Sequence, residues 1–355
     1  MGLAFLLIFS LTVSAELAVH FIDVGQGDAI LLQHQDGDTV LIDGGNRYAR
    51  VEEKLISYLT EAGVESFDAV IATHPHADHI GGLSAVIENF PVDTIYDSGK
   101  VHTSQTYENY LLMIDDKDIT FKTPRRGDKI ELDNLTFDIL HPGENVEEYD
   151  LNEVSIVAHL KYDQISFIFT GDIEETEERE IKEADFNINS TILKAGHHGS
   201  KTSTTDLFLE AVSPEVAVIT VGEDNKFGHP ALEVIDRLLE NNIEIYRTDL
   251  NGDIVINTDG KTYTIETVTS YQDEDIKELS EADEIEETEI DSTLLNINQA
   301  SKSKLESLWG VGPVTADNII EYRDENNGFQ SIEEIKEVDG IDANKFNRWK
   351  NQIIM

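Results

Sequence analysis

Short apolar runs alternate with turn residues and longer amphipathic segments over most of the chain. Runs of about 4–8 residues rich in β-branched and aromatic residues predict strands, and apolar positions three or four apart predict helices. The pattern predicts strands at 17–24, 29–34, 39–42, 67–73, 165–170, 191–194 and 216–221, and helices at 51–62, 80–90 and 231–240. Strands that alternate with helices indicate an α/β domain with helices on the outer faces of its sheets.

The chain divides into regions of different composition. Its 355 residues suit one domain of about 250 residues plus a small one. Between 273 and 291 there are 11 acidic residues and one basic residue, Lys277, which is typical of a solvated, self-repelling linker. We therefore predict a large domain at 16–269, an acidic linker at 270–292 and a small helical domain at 293–355.

The N-terminus has the pattern of a secretory leader. An apolar run extends from Leu3 to Val13, and Val13-Ser14-Ala15 places small residues where a signal peptidase cleaves. The run is short for a membrane span, and no later segment is long and apolar enough for one. We expect residues 1–15 to be a signal peptide and the protein to be secreted or extracytoplasmic. A retained N-terminal membrane anchor and a buried first strand are the alternatives.

Acidic residues far outnumber basic ones. The chain has 71 Asp and Glu residues against 26 Lys and Arg residues, a formal net charge of -45. Such a charge repels itself in dilute buffer, whereas molar salt shortens the Debye length to roughly 3 Å. The composition therefore predicts adaptation to high salinity. The absence of cysteine excludes disulfides, zinc–thiolate sites and cysteine nucleophiles.

The strongest chemical signal is His74-Pro75-His76-Ala77-Asp78-His79, directly after the strand predicted at 67–73. Three imidazoles and a carboxylate within six residues cannot all be buried without partners. They can instead bind two neighbouring cations: His74 and His76 the first, Asp78 and His79 the second. Imidazole nitrogen and carboxylate oxygen suit first-row divalent metals. The motif therefore predicts two divalent metal ions, Mn or Zn.

This HxHxDH string after a strand resembles the signature of the metallo-β-lactamase superfamily, over about residues 17–268. The resemblance implies an αββα sandwich. It implies that Asp43 orients the ligand loop from behind the metals, and that Asp172 bridges them. It also makes His198 the last histidine ligand, because Gly199 follows it. An exchange of roles between His198 and His197 is the alternative.

The first metal site departs from the superfamily pattern, in which a further histidine ligand lies between the motif and the bridging aspartate. Here the candidates are His141 and Asn152, and His159 lies in a strand-like run that suggests a structural role. An amide oxygen is a poorer zinc ligand than an imidazole. Asn152 in this position therefore implies a weakly held first metal or a greater tolerance of Mn.

The same departure resembles the catalytic domains of ComEC-type competence proteins, which are DNA-uptake channels. The segments that carry this resemblance are 21–28 (FIDVGQGD), 74–79, Asn152 with Ser155, Gly171-Asp172, 197–203, 225–230 (NKFGHP) and 248–252 (TDLNG). The resemblance implies a nuclease.

A dinuclear centre of this kind predicts a hydrolase, and the resemblance to ComEC-type domains implies that its substrate is a phosphodiester. Two adjacent cations can lower the pKa of a shared water and offset charge on a phosphoryl group. Asp78 and Asp172 are the predicted catalytic ligands. Asp28, His197 and His229 are the candidates for proton transfer or for supporting the ligands, and Lys201 for a phosphate contact.

We therefore predict a secreted metal-dependent phosphodiester hydrolase, a deoxyribonuclease acting on extracellular DNA. Hydrolysis of another phosphodiester, such as surface phosphocholine, is one alternative. A DNA-tethering receptor with a degenerate metal site is another.

Residues 293–355 carry 10 acidic and 7 basic residues, a net charge of -3, so the remaining -42 lies elsewhere. The turn Gly310-Val311-Gly312-Pro313 between two helical stretches resembles the tandem helix-hairpin-helix of ComEA-type DNA receptors. Backbone N–H groups of such turns bind a phosphate without reading a base. We therefore predict DNA-backbone contacts at Gly310, Val311 and Gly312, and at Gly340 in a second hairpin, where Asp342 replaces a glycine. A helical protein-interaction domain is the alternative.

Overall fold

The computed structural model describes residues 15–223, 225–270, 295–298, 300, 302–306, 308, 311–325, 329, 331–338, 341, 345–346 and 353–354. The predicted leader up to residue 14, nearly all of the predicted linker, and Gly310, Gly340 and Asp342 lie outside the described residues. The chain divides between Lys277 and Glu278 into two compact units, the first unit (1–277) and the tail unit (278–355).

The described part of the first unit contains two β-sheets. Its strands are β1 (Leu17–Phe21), β2 (Ile30–His34), β3 (Thr39–Ile42), β4 (Phe67–Ala72), β5 (Val92–Asp97), β6 (Thr120–Lys122), β7 (Lys129–Glu131), β8 (Thr136–His141), β9 (Val157–Tyr162), β10 (Ile165–Phe169), β11 (Ile192–Lys194), β12 (Val216–Ile219), β13 (Glu244–Arg247), β14 (Ile254–Thr258) and β15 (Tyr263–Thr267). The first sheet has the order β15-β14-β1-β2-β3-β4-β5-β6, and the second has the order β13-β12-β11-β10-β9-β8-β7.

Helices cover the outer faces of both sheets. They are α1 (Ala49–Glu61), α2 (Ala77–Ile80), α3 (Leu83–Asn89), α4 (Gln105–Asp116), α5 (Glu175–Glu183), α6 (Asp206–Val212), α7 (Leu232–Glu240) and α8 (Thr248–Asn251). Apolar residues of α1, α3 and α4 form one core with the first sheet. Those of α5, α6 and α7 form another with the second sheet.

The central core lies between the two sheets. Alternate residues of β1, such as Val19 and Phe21, meet Phe167 and Phe169 of β10, and the rings of Phe21 and Phe169 lie 6.4 Å apart. This alternation is the period-2 pattern that predicts strands with one face in a core. The helix–sheet–sheet–helix arrangement confirms the predicted αββα sandwich.

The helix predicted at 80–90 is instead two short helices, α2 and α3, that meet at Gly81 and Gly82. A Cβ on Gly81 would lie 2.2 Å from the backbone N of Arg47, and one on Gly82 would lie 2.2 Å from the carbonyl O of Gly44. The loop after β3 therefore packs directly on the backbone between the helices. This close approach breaks the helix and brings the loop that carries Asp43 against the motif 74–79.

The carboxyl ends of the parallel strands place the predicted ligands together. β3 pairs in parallel with β4, and in the other sheet β11 pairs in parallel with both β10 and β12. Because the carboxyl ends of parallel strands share one sheet edge, the residues that follow them converge. Asp43 follows β3, His74 follows β4, Asp172 follows β10 and His198 follows β11.

The tail unit is small and mainly helical. It contains α9 (Lys302–Glu306), α10 (Pro313–Glu325), a 3-10 helix (Ile332–Glu337) and a parallel pair of two-residue strands, β16 (Leu295–Asn296) and β17 (Ile353–Ile354). Leu305, Ile319, Phe329 and Phe346 are buried in its core. This strand pair joins residues 295–296 to residues 353–354. The sequence pattern does not predict it.

Candidate metal centre

His79 is held by an aspartate from behind. Its Nδ1 lies 2.8 Å from Oδ2 of Asp43, and both side chains are fully buried. The other oxygen of Asp43 accepts the backbone N–H of Thr73 at 2.8 Å. Asp43 therefore fixes the His79 ring and the end of β4 together, as a residue that orients a ligand would. The Nε2 of His79 faces the second sheet, 3.2 Å from Oδ2 of Asp172.

His198 approaches the Asp172 carboxylate from the second sheet, as His79 does from the first. It lies in a 3-10 turn, Gly196–Gly199, where His197 and His198 both have left-handed backbone (φ 47° and 55°). Its Nδ1 donates to the carbonyl O of Thr220 at 2.8 Å. In the neutral ring its Nε2 therefore carries the lone pair, and it lies 3.4 Å from Oδ2 of Asp172 and 3.7 Å from Oδ2 of Asp78. This geometry favours His198 over His197 as the ligand.

Three buried atoms at this point have no hydrogen-bond partner among the described residues: Nε2 of His79, Nε2 of His198 and Oδ1 of Asp172. Leaving one buried polar atom unsatisfied costs about 1–3 kcal/mol, so three such atoms at one point fit a cation-binding site. Ligand atoms of Asp78, His79 and His198 lie within 4.8 Å of one another, as do those of His74, His79 and Asp172. The donor set of imidazoles and carboxylates fits divalent transition metals.

The carboxylates of the site favour the protonated forms of two of its imidazoles. Burial lowers the pKa of His79, but Asp172 and Asp43 outweigh it and raise the pKa well above its usual value. Burial likewise lowers the pKa of His198, and Asp172 with Asp28 raises it to about 9. Burial raises the pKa of Asp172, but His198 and His79 hold it well below the usual range. A metal that binds here therefore displaces protons from the imidazoles.

The first predicted site is built from His74 and His76. The His74 Nε2 and the His76 Nδ1 lie 3.0 Å apart, and the His74 Nε2 is 3.9 Å from Oδ2 of Asp172. Burial, together with His79, holds the pKa of His74 well below its usual value, so the ring is neutral as a ligand must be. Ser155 Oγ lies 3.2 Å from the His74 Nδ1 and accepts the backbone N–H of Asp172.

Of the two candidates for the remaining ligand, the structure places Asn152 at the site and His141 away from it. Asn152 Nδ2 lies 3.3 Å from the His197 Nε2. The Asn152 amide is also within hydrogen-bond reach of the His76 ring. Its Oδ1 is buried with no partner in the described parts of the chain. His141 instead donates from Nε2 to the carbonyl O of Glu153 at 2.7 Å. It thereby anchors the loop that carries Asn152.

The sequence analysis missed Lys194, which lies at the end of β11. Its side chain is fully buried, with Nζ 2.5 Å from Oδ2 of Asp28, 3.0 Å from the carbonyl O of Gly171 and 3.9 Å from Oδ1 of Asp172. A lysine at the end of an apolar strand, two residues before Gly196, is the signal that could have revealed it. Burial raises the pKa of Asp28, but Lys194 outweighs it and holds the pKa below its usual range.

Asp28, a candidate for proton transfer, is almost fully buried, and both of its carboxylate oxygens already accept hydrogen bonds. It accepts from Lys194 and from Thr220 Oγ1, and its Oδ1 lies 3.4 Å from the His198 Nδ1. This environment suits a supporting role behind the ligands. His197 and His229 lie nearer the surface. His197 Nδ1 is 3.0 Å from Oε1 of Glu174, and its Nε2 is 3.8 Å from Oδ2 of Asp172.

Other predicted positions lie outside this cluster. His159 is buried in β9 opposite Asp138, and Lys201 is exposed. In the tail unit, Val311 is buried and its N–H donates to the carbonyl O of Leu308 at 2.9 Å, which supports the turn. Gly312 is exposed at the start of α10, and its carbonyl accepts from Ala316.

Sequence comparison agrees with this geometry. Residues 22–223 match the family described as Metallo-beta-lactamase superfamily. The chain belongs to the metallo-β-lactamase superfamily. Residues 291–354 match the helix-hairpin-helix motif family. The superfamily assignment accounts for the two sheets with outer helices, and it supports a metal-dependent hydrolase.

The curated relatives of this superfamily member include competence proteins. It is 30% identical to ComE operon protein 3 of Bacillus subtilis over 77% of this chain and 37% of that protein. It is 32% identical to competence protein ComA of Neisseria gonorrhoeae over 67% of this chain and 32% of that protein. The chain thus spans about a third of the length of these relatives.

A shorter stretch of the chain has a further relative. Over 60 residues, 17% of this chain and 29% of that protein, the chain is 47% identical to ComE operon protein 1 of Bacillus subtilis. Among solved structures, the metallo-β-lactamase fold protein YhfI from Bacillus subtilis matches 65% of this chain and 96% of its own, at 15% identity and a TM-score of 0.41. In the part of the chain that is described, every helix is too short or too polar to cross a bilayer.

Proposed function

We propose that this chain is a dinuclear, Mn-dependent phosphodiesterase that hydrolyses DNA outside the cytoplasm. The observation that carries the proposal is the convergence of three buried, unpartnered atoms of His79, His198 and Asp172 beside His74 and His76. Competence-protein relatives and a helix-hairpin-helix unit support DNA as the substrate. The apolar segment before Ala15 supports export.

Two overlapping sets of residues would hold the metals. His74, His76, Asn152 and Asp172 form the first set, and Asp78, His79, His198 and Asp172 form the second, with Asp172 common to both. Bound divalent ions would supply Lewis acidity to a water and to the phosphoryl oxygens. Asp43, Thr220 and Lys194 position this set, because each holds a ligand or its strand end by a buried hydrogen bond.

His197 is the residue placed to move a proton. Its Nδ1 is held by Glu174 at 3.0 Å, which orients the ring, and its Nε2 faces Asn152 and Asp172. Its side chain is 22% exposed, whereas that of His198 is 2% exposed. Substrate can therefore reach His197, and a histidine oriented by a carboxylate is suited to accept a proton at Nε2 and to pass it on to a leaving oxygen.

Residues 293–355 of the tail unit are less acidic than the rest of the chain and are therefore better suited to bind DNA. Residues outside 293–355 carry a formal charge of -42 and repel a polyanion, whereas 293–355 carry -3. Amide groups at the Gly312 turn, at the start of α10, are suited to bind a backbone phosphate without a base preference. We propose that the tail unit holds DNA while the first unit hydrolyses it.

The test is DNA hydrolysis by the full-length protein in high salt. Linear duplex and single-stranded DNA should be degraded with Mn²⁺, and EDTA should stop the reaction until Mn²⁺ is restored. His198→Gln should remove activity. His34→Gln should leave activity unchanged. Because β2 is antiparallel to β3, His34 lies at the sheet edge far from Asp43.

Two outcomes would contradict the proposal. Turnover of 4-nitrophenyl phosphocholine without DNA hydrolysis would assign the site to another phosphodiester. DNA binding without any metal-dependent hydrolysis would indicate a receptor.

A further inference from the structure

An exposed aromatic ring lies beside the candidate metal centre. Phe227 is 64% exposed, yet its ring stacks on His229 with centroids 5.8 Å apart and an interplanar angle of 19°. His229 packs edge-on against His197 with centroids 5.6 Å apart. The His197 Nε2 lies 3.8 Å from Oδ2 of Asp172. Two ring contacts thus connect Phe227 to the proposed bridging carboxylate.

Asn225 holds the turn that carries Phe227 in one conformation. Its Oδ1 accepts the backbone N–H groups of Phe227 at 3.1 Å and of His229 at 3.0 Å. Its Nδ2 donates to the carbonyl O of Gly222 at 3.0 Å and of His229 at 2.6 Å. These four hydrogen bonds fix the Phe227 backbone from one side chain. A ring that is already positioned loses little conformational entropy when a ligand covers it.

The surroundings of the ring suit a nucleotide. Burial, with the nearby His197, lowers the pKa of His229 to about 4, so Phe227 stacks on an uncharged ring. Lys226 is exposed on the same turn and adds a positive charge to a strongly acidic chain. An exposed aromatic face next to a cation is the combination that binds single strands without base preference, because every base has a π-face.

We propose that Phe227 stacks on a nucleobase of the strand whose phosphodiester lies at the metal centre. This subsite rests on the proposed DNA hydrolysis and adds to it a preference for unpaired, base-bearing strands. The base that stacks is one whose 5′ or 3′ phosphate is cleaved, since His229 and His197 bridge the distance from the ring to the reacting site. Duplex ends must open before they can occupy it.

The test compares two short single strands with the same sugar–phosphate backbone, one of thymidines and one of abasic residues. The full-length enzyme with Mn²⁺ should cleave the thymidine strand with a kcat/KM about tenfold higher, the order of one stacking contact. Phe227→Ala should abolish this ratio, and Phe227→Tyr should restore it. Phe186→Ala is the matched control, because Phe186 is also exposed but lies between α5 and β11, at the opposite sheet edge.

A second measurement, of strand binding by fluorescence, does not depend on hydrolysis. Both tryptophans, Trp309 and Trp349, lie in the tail unit, so Phe227→Trp adds the only tryptophan outside it. The thymidine strand should quench this added fluorescence, measured as the difference from the wild-type protein, and the abasic strand should not. Quenching without cleavage of either strand would refute DNA hydrolysis and retain the subsite. Equal cleavage of both strands by the wild type, or equal quenching by both, would overturn the subsite.

Discussion

The ammonium group of Lys194 lies 2.5 Å from Oδ2 of Asp28, and both side chains are buried behind the metal ligands. Lys194 also donates to the carbonyl O of Gly171, next to Asp172. Asp28 lies 3.4 Å from the Nδ1 of His198. The ion pair therefore joins the loop after β1 to the two strand ends that carry Asp172 and His198, and positions both ligands.

Lys194→Met should destabilise the first unit and weaken metal binding. The variant leaves the Asp28 carboxylate buried without its counter-ion, which typically costs about 3–5 kcal/mol. Loss of a residue that orients ligands typically lowers metal affinity about 10–100-fold. Urea unfolding followed by far-UV circular dichroism measures the first effect, and Mn²⁺ titration the second.

The double variant Lys194→Met with Asp28→Asn separates the two effects. It should recover most of the stability, because no buried charge remains unpaired, but not the metal affinity. The exposed Lys201→Met is the control for stability. Wild-type stability in Lys194→Met would show that the pair contributes nothing.

Asn152→His should change metal preference. The wild type should be more active with Mn²⁺ than with Zn²⁺, because an amide oxygen replaces an imidazole in the first site. The variant supplies that imidazole and should bind Zn²⁺ more tightly, measured by competition with a chelator. Asn241→His, exposed after α7, adds a histidine at the far edge and should change nothing. Two tightly held Zn²⁺ ions in the wild type, with full activity, would refute this account of Asn152.

His141 should make the first unit sensitive to acid. Burial, with Arg126 nearby, lowers its pKa to about 4 in the folded chain, against about 6.5 in the unfolded chain. Between these values the unfolded state binds the extra proton. The stability that neutral His141 contributes is therefore complete above pH 6.5 and is lost as the pH falls toward 4, by on the order of 3 kcal/mol.

His141→Gln keeps a donor for the Glu153 carbonyl and removes the titration. Urea unfolding should show a stability gap between wild type and variant that shrinks, or reverses, from pH 7 to pH 4. Histidines common to both proteins cancel in this difference. Parallel stability curves over that range would exclude His141 as the acid-sensitive group.

Removal of residues 293–355 should weaken DNA binding and lower hydrolysis at low DNA concentration. A tethered binding unit raises the local concentration of DNA at the active site. Turnover of a small bis-aryl phosphate should be unchanged. The advantage should persist in molar salt, because amide–phosphate hydrogen bonds depend less on counterion release than lysine contacts do.

Gly312→Asp should have the same effect as the deletion. A Cβ at Gly312 meets nothing within 4 Å, so the change adds a carboxylate without a clash. Fluorescence of Trp309 and Trp349 reports whether the tail unit stays folded. Equal DNA binding by the full-length, truncated and Gly312→Asp proteins would indicate a protein-interaction unit instead.

Sequence patterns predict the candidate ligands better than they predict the buried residues that position those ligands. The proposed ligands follow strand ends, so the local HxHxDH motif and the polar residues directly after β10 and β11 indicate them. The Lys194–Asp28 pair joins segments far apart in the chain, and nothing local to either residue identifies the other. The choice between Asn152 and His141 depended on which way each side chain points. The break between α2 and α3 depended on a loop packing against Gly81 and Gly82 from a distance in sequence.

The central claim is that Asp172 is shared by two metal ions. The most direct measurement is the metal stoichiometry of the full-length protein and of Asp172→Asn, by native mass spectrometry with Mn²⁺, alongside hydrolysis of DNA. The wild type should hold two Mn²⁺ per chain and cleave DNA. The isosteric Asp172→Asn should keep its circular dichroism spectrum, hold at most one Mn²⁺ and lose hydrolysis. Two bound Mn²⁺ and wild-type rates in Asp172→Asn would contradict the claim.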